Sequence, residues 1–179
     1  MKAALLIIDA QALITVPELY RFDEFVSNTV KLIETARESG TEVVYIRHED
    51  TGGNGLVKGM PGFEIYEAFA PREGERIFDK RVNSAFRDTG LTAYLRERQT
   101  DTLIIAGLQT DYCIDASVKC GFEHHFGIIV PGYANTTFDN PYMTAEQTYR
   151  FYNGWMWPRR YAQCMPVGEV CGLMKKEAL

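Results

Sequence analysis

The sequence has no excess of positive charge. Its 19 Lys and Arg residues stand against 24 Asp and Glu residues, which gives a net charge of −5 and a pI of about 5.3. Nucleic acids and anionic membranes are bound largely through basic patches. This balance therefore argues against both as partners and favours a small-molecule ligand.

Long hydrophobic runs are also absent, and cysteine is scarce. The first apolar run, AALLII, stops at Asp9, so it is too short for a membrane-spanning helix and lacks the layout of a secretory signal. Only four cysteines occur, with no C-x-x-C pair among them, so no disulfide framework is expected. Cys120, Cys164 and Cys171 are expected in the core. These observations predict a cytoplasmic protein with reduced thiols.

Nucleotide-binding glycine patterns are missing as well. TGGNG at 51–55 and GMPG at 59–62 are rich in glycine, but neither lies between a strand and a helix, as G-x-G-x-x-G does. We therefore expect no nucleotide and no other cofactor.

What the sequence does contain is a regular alternation of short apolar runs and amphipathic stretches. This pattern is typical of a parallel sheet covered on both faces, and 179 residues suffice for one large core, so we predict a single α/β domain over 1–179. The predicted strands cover 2–9, 42–48, 76–80, 100–107, 125–132 and 161–167. The predicted helices cover 22–40, 91–99, 113–123, 143–157 and 168–176.

One connection is unusually long. Residues 49–75, between the second and third predicted strands, are rich in Gly and Pro. Long loops in compact domains tend to be functional. We therefore take Phe63 and Tyr66 in this loop, with Gln11 and Ile14 after the first strand, as candidates for the wall of a substrate pocket.

Three reactive side chains stand at or just beyond the ends of predicted strands. Asp9 comes after LLII, Lys80 after RIFD, and Cys113 shortly after TDTLIIA. Each has an ordinary interpretation alone, as a turn residue, a solvated lysine or a small core residue. Ligands of open parallel sheets bind beyond the carboxyl ends of the strands, so the coincidence of all three there predicts an active site. Cys113 also precedes a predicted helix, whose N-terminal field favours a thiolate.

These residues lie in three ordered motifs, LLIIDAQ, FDKRVNSAF and IAGLQTDYCIDAS. The motifs resemble those of the isochorismatase-like cysteine hydrolases, a family that includes nicotinamidases and other small-amide amidohydrolases. The resemblance implies the Rossmann-like fold of that family, a three-layer α/β/α sandwich with a mostly parallel six-stranded sheet.

The resemblance also implies the roles of individual residues. Asp9, Lys80 and Cys113 would form a catalytic triad. The peptide bond between Leu108 and Gln109 would be cis, and the backbone N–H groups of Gln109 and Cys113 would form an oxyanion hole.

The expected chemistry is hydrolysis of an amide through a thioester. A free thiol has a pKa of about 8.5 and is mostly protonated at pH 7, so a nucleophilic cysteine needs a base or a nearby cation. Lys80 would supply the cation. Asp9 would take the thiol proton, return it to the departing amine and then activate the water that cleaves the thioester.

A metal ion is not expected. Nicotinamidases carry a D-x-H pair just after the second strand, completed by a further His, to hold a divalent metal. Here that place reads IRHED, with His48, Glu49 and Asp50, and the other histidines, His124 and His125, lie far along the chain. Metal sites need three or more convergent ligands.

Two other functions stay open. True isochorismatases hydrolyse a vinyl ether without needing a thiol, so Cys113 would be incidental in such an enzyme. A non-catalytic binding or assembly module could instead keep the fold and bind partners through its aromatic C-terminal segment. Product analysis separates the two enzymes, because an amidohydrolase releases ammonia or an amine whereas an isochorismatase releases pyruvate.

The aromatic residues predict self-association. Ten Tyr and ten Phe occur in the chain, and many aromatic residues cluster between Tyr142 and Tyr161. Large apolar clusters favour contacts between subunits. We predict a homo-oligomer, either a dimer or a tetramer, with the segment around Trp155 and Trp157 at or near an interface.

Overall fold

Seven strands form one sheet in the computed structural model, which describes residues 2–50, 52 and 55–177. All the strand pairings are parallel. The six predicted strands are present. The additional strand, Asn135–Thr136, has only two residues and is too short to leave an apolar pattern in the sequence. The strands are β1 (Ala3–Ile8), β2 (Glu42–His48), β3 (Arg76–Lys80), β4 (Thr102–Leu108), β5 (Gly127–Pro131), β6 (Asn135–Thr136) and β7 (Gln163–Met165).

Five α-helices accompany the sheet in the described residues, and two of them are shortened by a neighbouring π-helical turn. A wide π-helical turn at Thr110–Ile114 precedes the third helix, and another at Tyr152–Met156 follows the fourth, so both helices are shorter than their sequence patterns suggested. In the described part of the chain, no helix combines the length and apolarity that crossing a membrane requires. The helices are α1 (Phe22–Ser39), α2 (Leu91–Glu97), α3 (Asp115–Glu123), α4 (Ala145–Phe151) and α5 (Val167–Glu177).

The order of the strands creates a crevice at one edge of the sheet. The order is β3-β2-β1-β4-β5-β7, with β6 also paired to β4. The chain therefore moves outward from β1 to β3 on one side and then outward from β4 on the other. Connections that leave neighbouring strands in opposite directions open a crevice at their carboxyl ends. That crevice lies between β1 and β4.

Both faces of the sheet are covered, as the predicted three-layer α/β/α architecture requires. Leu5 and Ile7 of β1 pack on one face in a cluster with α1 and α5, whereas Leu6 and Ile8 pack on the other with α2 and α3. All six residues of β1 are buried. This explains why the strand is a continuous apolar run without alternation.

The ends of β1 and β4 approach each other closely at Gly107. This residue pairs with Ile8 and has a φ of +127°, and a Cβ atom added there would lie 1.9 Å from the carbonyl oxygen of Ile8. Only glycine fits such an approach. It holds the segments that follow the two strands side by side.

The aromatic C-terminal segment divides between core and surface. Trp157 is fully buried, and its Nε1–H donates a hydrogen bond to Asp115 Oδ1 at 2.9 Å. Trp155 is 69% exposed and packs beside Phe151. The exposed position that a subunit contact needs is therefore found for Trp155, whereas Trp157 belongs to the core.

Candidate active site

The strands bring Asp9, Lys80 and Cys113 to one place at the carboxyl edge of the sheet. Asp9 directly follows β1 and has a φ of 51°, a left-handed conformation that Asp tolerates better than most residues. Its N–H donates to the Ile46 carbonyl at 2.9 Å, and this hydrogen bond ties the residue after β1 to the neighbouring strand β2. Lys80 is the last residue of β3, and Cys113 lies in the π-helical turn after β4.

His48, the last residue of β2, lies between Lys80 and Asp9 in the strand order. It is in register with Lys80, just as Ile46 is in register with Phe78. Residues two apart on a strand point to the same face, so His48 and Lys80 leave the sheet on the side of Ile46 and Phe78. Lys80 therefore has to extend past His48 to reach Asp9.

The Lys80 ammonium is held by three acceptors. Its Nζ atom lies 2.6 Å from Asp9 Oδ2, 3.0 Å from His48 Nδ1 and 3.2 Å from Cys113 Sγ. The Lys80 side chain is completely buried. An ammonium has three N–H donors and no acceptor, so these three contacts use all of its hydrogen-bonding capacity.

Burial raises the pKa of both Asp9 and Cys113. Burial raises the pKa of the Asp9 carboxyl above its usual value, although the Lys80 charge acts in the opposite direction. Burial and the negative charge of Asp9 raise the pKa of the Cys113 thiol to about 12, against the opposing effect of Lys80. Cys113 is therefore a thiol at neutral pH and needs a base in order to attack.

Asp9 is positioned to be that base. Its Oδ1 atom is buried and has no hydrogen-bond partner among the described residues. A carboxylate oxygen of Asp9 and the Cys113 sulfur lie within 4.8 Å of each other. An unpaired buried carboxylate oxygen has a strong tendency to accept a proton.

Backbone hydrogen bonds anchor the start of the turn that carries Cys113. The Leu108–Gln109 peptide bond is cis, as the resemblance implied. The N–H groups of Tyr112 and Ile114 both donate to the Gln109 carbonyl, at 3.1 Å each. The turn is thereby closed on the residue that directly follows β4.

Strand β6 and the residue after it hold the same turn through side chains. Thr110 Oγ1 donates to Asn135 Oδ1 at 2.8 Å, and Thr137 Oγ1 donates to Asp111 Oδ1 at 2.6 Å. Asn135 in turn pairs with Asn153 after α4. Sequence reasoning did not find this support, because these polar residues have the appearance of ordinary loop chemistry.

A cavity of about 380 Å³ opens onto Cys113. Ile14 lines it, as expected, and so does Gln109. Five further lining residues were not singled out as pocket residues from the sequence. Asn83 lies in the FDKRVNSAF motif, and its Oδ1 is 3.8 Å from the Cys113 sulfur, so that motif was the available signal. The lining residues are Asp9, Ile14, His48, Asp50, Leu56, Asn83, Gln109, Tyr112 and Cys113.

The other three candidate wall residues lie outside this lining. Gln11 is fully buried, and its side chain binds the backbone of His48 and the Phe63 carbonyl, so it ties the end of β2 to the loop. Phe63 is fully buried under the Arg47 guanidinium. Tyr66 packs edge-on against Phe69 in the core. The loop turns these side chains inward, and the number of residues between them does not reveal that direction.

Asp9, His48 and Cys113 have the ligand types and proximity of a metal site. The Lys80 ammonium is bonded to all three of these side chains. A cation bound at their centre would have to displace the ammonium. The donor set as arranged therefore fits a buried lysine better than a metal ion.

Comparison with known proteins places this geometry in context. A family model described as an isochorismatase domain matches residues 3–153. The chain is 33% identical over 148 residues to a maleamate amidohydrolase from Pseudomonas putida, which covers 72% of this chain and 70% of the relative. It is 28% identical over 143 residues to a streptothricin hydrolase from Streptomyces noursei, covering 77% of this chain but 51% of that relative.

The fold matches solved structures over nearly its whole length. A cysteine hydrolase from Pseudomonas syringae superposes with a TM-score of 0.90, covering 99% of this chain and 94% of that chain, at 23% identity. A likeness at this identity establishes the shared architecture.

Proposed function

The chain belongs to the isochorismatase family of hydrolases, and on that premise we propose that it cleaves a small-molecule amide bond through a thioester on Cys113. The two relatives with amide-cleaving or hydrolase names support this proposal. The observation that carries it is the buried Lys80 ammonium, bonded to both Asp9 and Cys113 beside the cavity. A lysine that only stabilised the fold would not need a thiol as a hydrogen-bond partner.

The first half-reaction would form the thioester. Asp9 removes the proton from Cys113 while the sulfur attacks the amide carbonyl carbon, and a C–S bond forms. The raised pKa of Asp9 makes its carboxylate a stronger base than an ordinary one. The C–N bond then breaks, and the proton on Asp9 passes to the departing nitrogen, which leaves as ammonia or an amine.

The second half-reaction would release the acid. Asp9, a carboxylate again, takes a proton from a water molecule that attacks the thioester carbonyl. The C–S bond breaks, and the proton returns to the Cys113 sulfur. One carboxylate thus serves both steps, and the enzyme ends as it began.

Lys80 would act through its charge and not through proton transfer. Its ammonium donates to both groups that exchange the proton. When negative charge moves from Asp9 to the sulfur, the counter-charge is already in contact with the sulfur, so little reorganisation is needed.

The negative charge on the substrate oxygen needs its own donors. We assign this role to the backbone N–H groups of Gln109 and Cys113, because both residues line the cavity. Losing one such donor typically costs about 3 kcal/mol of transition-state stabilisation.

Vinyl-ether hydrolysis is the second candidate, because the matched family model is described as an isochorismatase domain. In such a reaction Cys113 would be dispensable and pyruvate would be released. The buried contact between the sulfur and the ammonium favours the amidohydrolase.

The test is an ammonia-release screen over small carboxamides, including nicotinamide, with and without added zinc or manganese. Cys113→Ala is expected to abolish turnover without unfolding the protein. Cys120→Ala is the matched control, because Cys120 is a half-buried thiol on α3 outside the cavity. Full activity in Cys113→Ala would contradict the proposal, and so would release of pyruvate from a vinyl-ether substrate without ammonia release from any carboxamide.

A further inference from the structure

We infer, on the basis of the proposed function, that the site takes neutral or cationic carboxamides and selects against substrates with a carboxylate near the scissile amide. Asp50 is the residue that sets this preference. Three observations carry the inference, and they concern the charges that a bound substrate would meet in the cavity.

The positive charge closest to the nucleophile is unable to bind a substrate anion. All three N–H donors of Lys80 are engaged by Asp9, His48 and Cys113, and the side chain is completely buried. A substrate carboxylate would have to displace one of these partners. Moreover, the Lys80 charge is balanced by Asp9, so the pair adds little net field to the cavity.

Asp50 adds a negative charge that is not balanced by a cation in the lining. His48 Nδ1 accepts from the Lys80 ammonium, so Nε2 carries the ring proton and faces Asp50 Oδ1 at 3.3 Å. His48 is therefore neutral and fixes the Asp50 carboxylate without cancelling its charge. The Leu56 N–H also donates to Asp50 Oδ2, at 3.2 Å. The Asp50 side chain is 44% exposed and lines the cavity, so a ligand can reach it.

The cations on and next to β2 and β3, outside the lining, are paired with carboxylates of their own. Arg47 binds Asp79 and Glu64, Lys58 binds Asp79, and Arg81 binds Glu49, with all shortest N–O distances at or below 3.0 Å. The described lining contains no Arg. Positions 51, 53 and 54, in the same loop as Asp50, are Thr, Gly and Asn, so the sequence adds no cation there.

The test uses the Cys113 thiol as a reporter, so it does not require knowledge of the substrate. Cys113 is modified with three methanethiosulfonates of similar size that carry a trimethylammonium group, no charge or a sulfonate, and its labelling rate is followed by peptide mass spectrometry at low salt. Each rate is divided by the rate for a free thiol. We expect the cationic reagent to react at least about tenfold faster than the anionic one, with a ratio that shrinks as salt is added.

Two variants locate the origin of the ratio. Asp50→Asn is expected to reduce the ratio to within about threefold of unity, because it removes the charge while keeping the shape. Glu73→Gln is the matched control, since it changes the net charge equally from an exposed position before β3, at the opposite edge of the sheet. It should leave the ratio unchanged.

Each other outcome would overturn the inference. Equal rates for the cationic and anionic reagents would refute the charge preference, and a ratio that survives Asp50→Asn would refute the role of Asp50. A Cys113 that reacts with none of the reagents, even when Asp9→Asn has removed the charge that raises its pKa, would show that the cavity does not admit small molecules. The proposed function is decided separately, by ammonia release and by Cys113→Ala, so the two can fail independently.

Discussion

His48 Nδ1 accepts a hydrogen bond from the Lys80 ammonium at 3.0 Å, and the two residues are register partners on neighbouring strands. The histidine is therefore part of the lysine's binding site and not an isolated polar residue at a strand end. Without it, one N–H of a completely buried ammonium would have no partner.

Replacing His48 tests this relationship. His48→Leu is expected to lower kcat and to reduce the free energy of unfolding by about 1–3 kcal/mol, because a buried donor is left unsatisfied. His48→Gln, which offers an amide oxygen, should recover part of both. Urea denaturation and steady-state kinetics give the two quantities. If His48→Leu and His48→Gln behave alike, the acceptor at this position does not matter.

Replacing Asp9 should separate thiol reactivity from turnover. After burial, the Asp9 charge is the largest cause of the raised pKa of Cys113. Asp9→Asn removes that charge and leaves Lys80, so the thiol pKa should fall and alkylation by iodoacetamide at pH 7–8 should accelerate. Amide turnover should be lost, because no base remains. Peptide-level alkylation rates measured across pH check this, and an unchanged or slower rate would show that Asp9 does not control the thiol.

The approach of β4 to β1 can be tested at Gly107. Gly107→Ala should destabilise the fold by about 3 kcal/mol or more, since its Cβ would meet the Ile8 carbonyl oxygen at 1.9 Å in a conformation that disfavours side chains. Gly172→Ala in α5 is the control, because nothing lies within 4 Å of the added atom. It should be neutral or stabilising by up to about 1 kcal/mol. Similar midpoints for the two variants in thermal unfolding would argue against the close approach.

The Arg37–Glu75 pair predicts a dependence of stability on pH. Burial alone would raise the pKa of Glu75, but hydrogen bonds from Arg37 and from the Arg72 backbone outweigh it, so the pKa is lowered from its usual 4.5. A lowered folded-state pKa contributes stability above pH 4.5 that is lost as the pH falls through the folded value. Wild type should therefore exceed Glu75→Gln in unfolding free energy at pH 7, and the difference should shrink below about pH 4.5. A difference independent of pH would contradict the assignment.

Self-association remains a prediction, and the structure narrows where to test it. Light scattering at micromolar concentration is expected to give a mass of two or four chains. Trp155→Ser should lower that mass, because Trp155 is 69% exposed. Trp157→Ser should instead unfold the protein, because Trp157 is fully buried and bonded to Asp115. A mass near one chain for the wild type would refute the assembly.

The sequence determined the class of fold and the place of the candidate site. Continuous apolar runs separated by amphipathic stretches correspond to strands buried on both faces and the helices that cover them, and this relation is local. Asp9, Lys80 and Cys113 were found because the carboxyl ends of parallel strands meet at one edge, whatever the details of the loops.

Tertiary structure alone decided what surrounds that edge. Phe63 is buried and Tyr66 packs against the core, while Asp50 and Tyr112 line the cavity. His48 becomes the partner of Lys80 only because β2 and β3 align in register. The physical reason is that the direction of a side chain in a loop or an irregular turn depends on contacts with distant segments, and no periodicity in the sequence encodes those contacts.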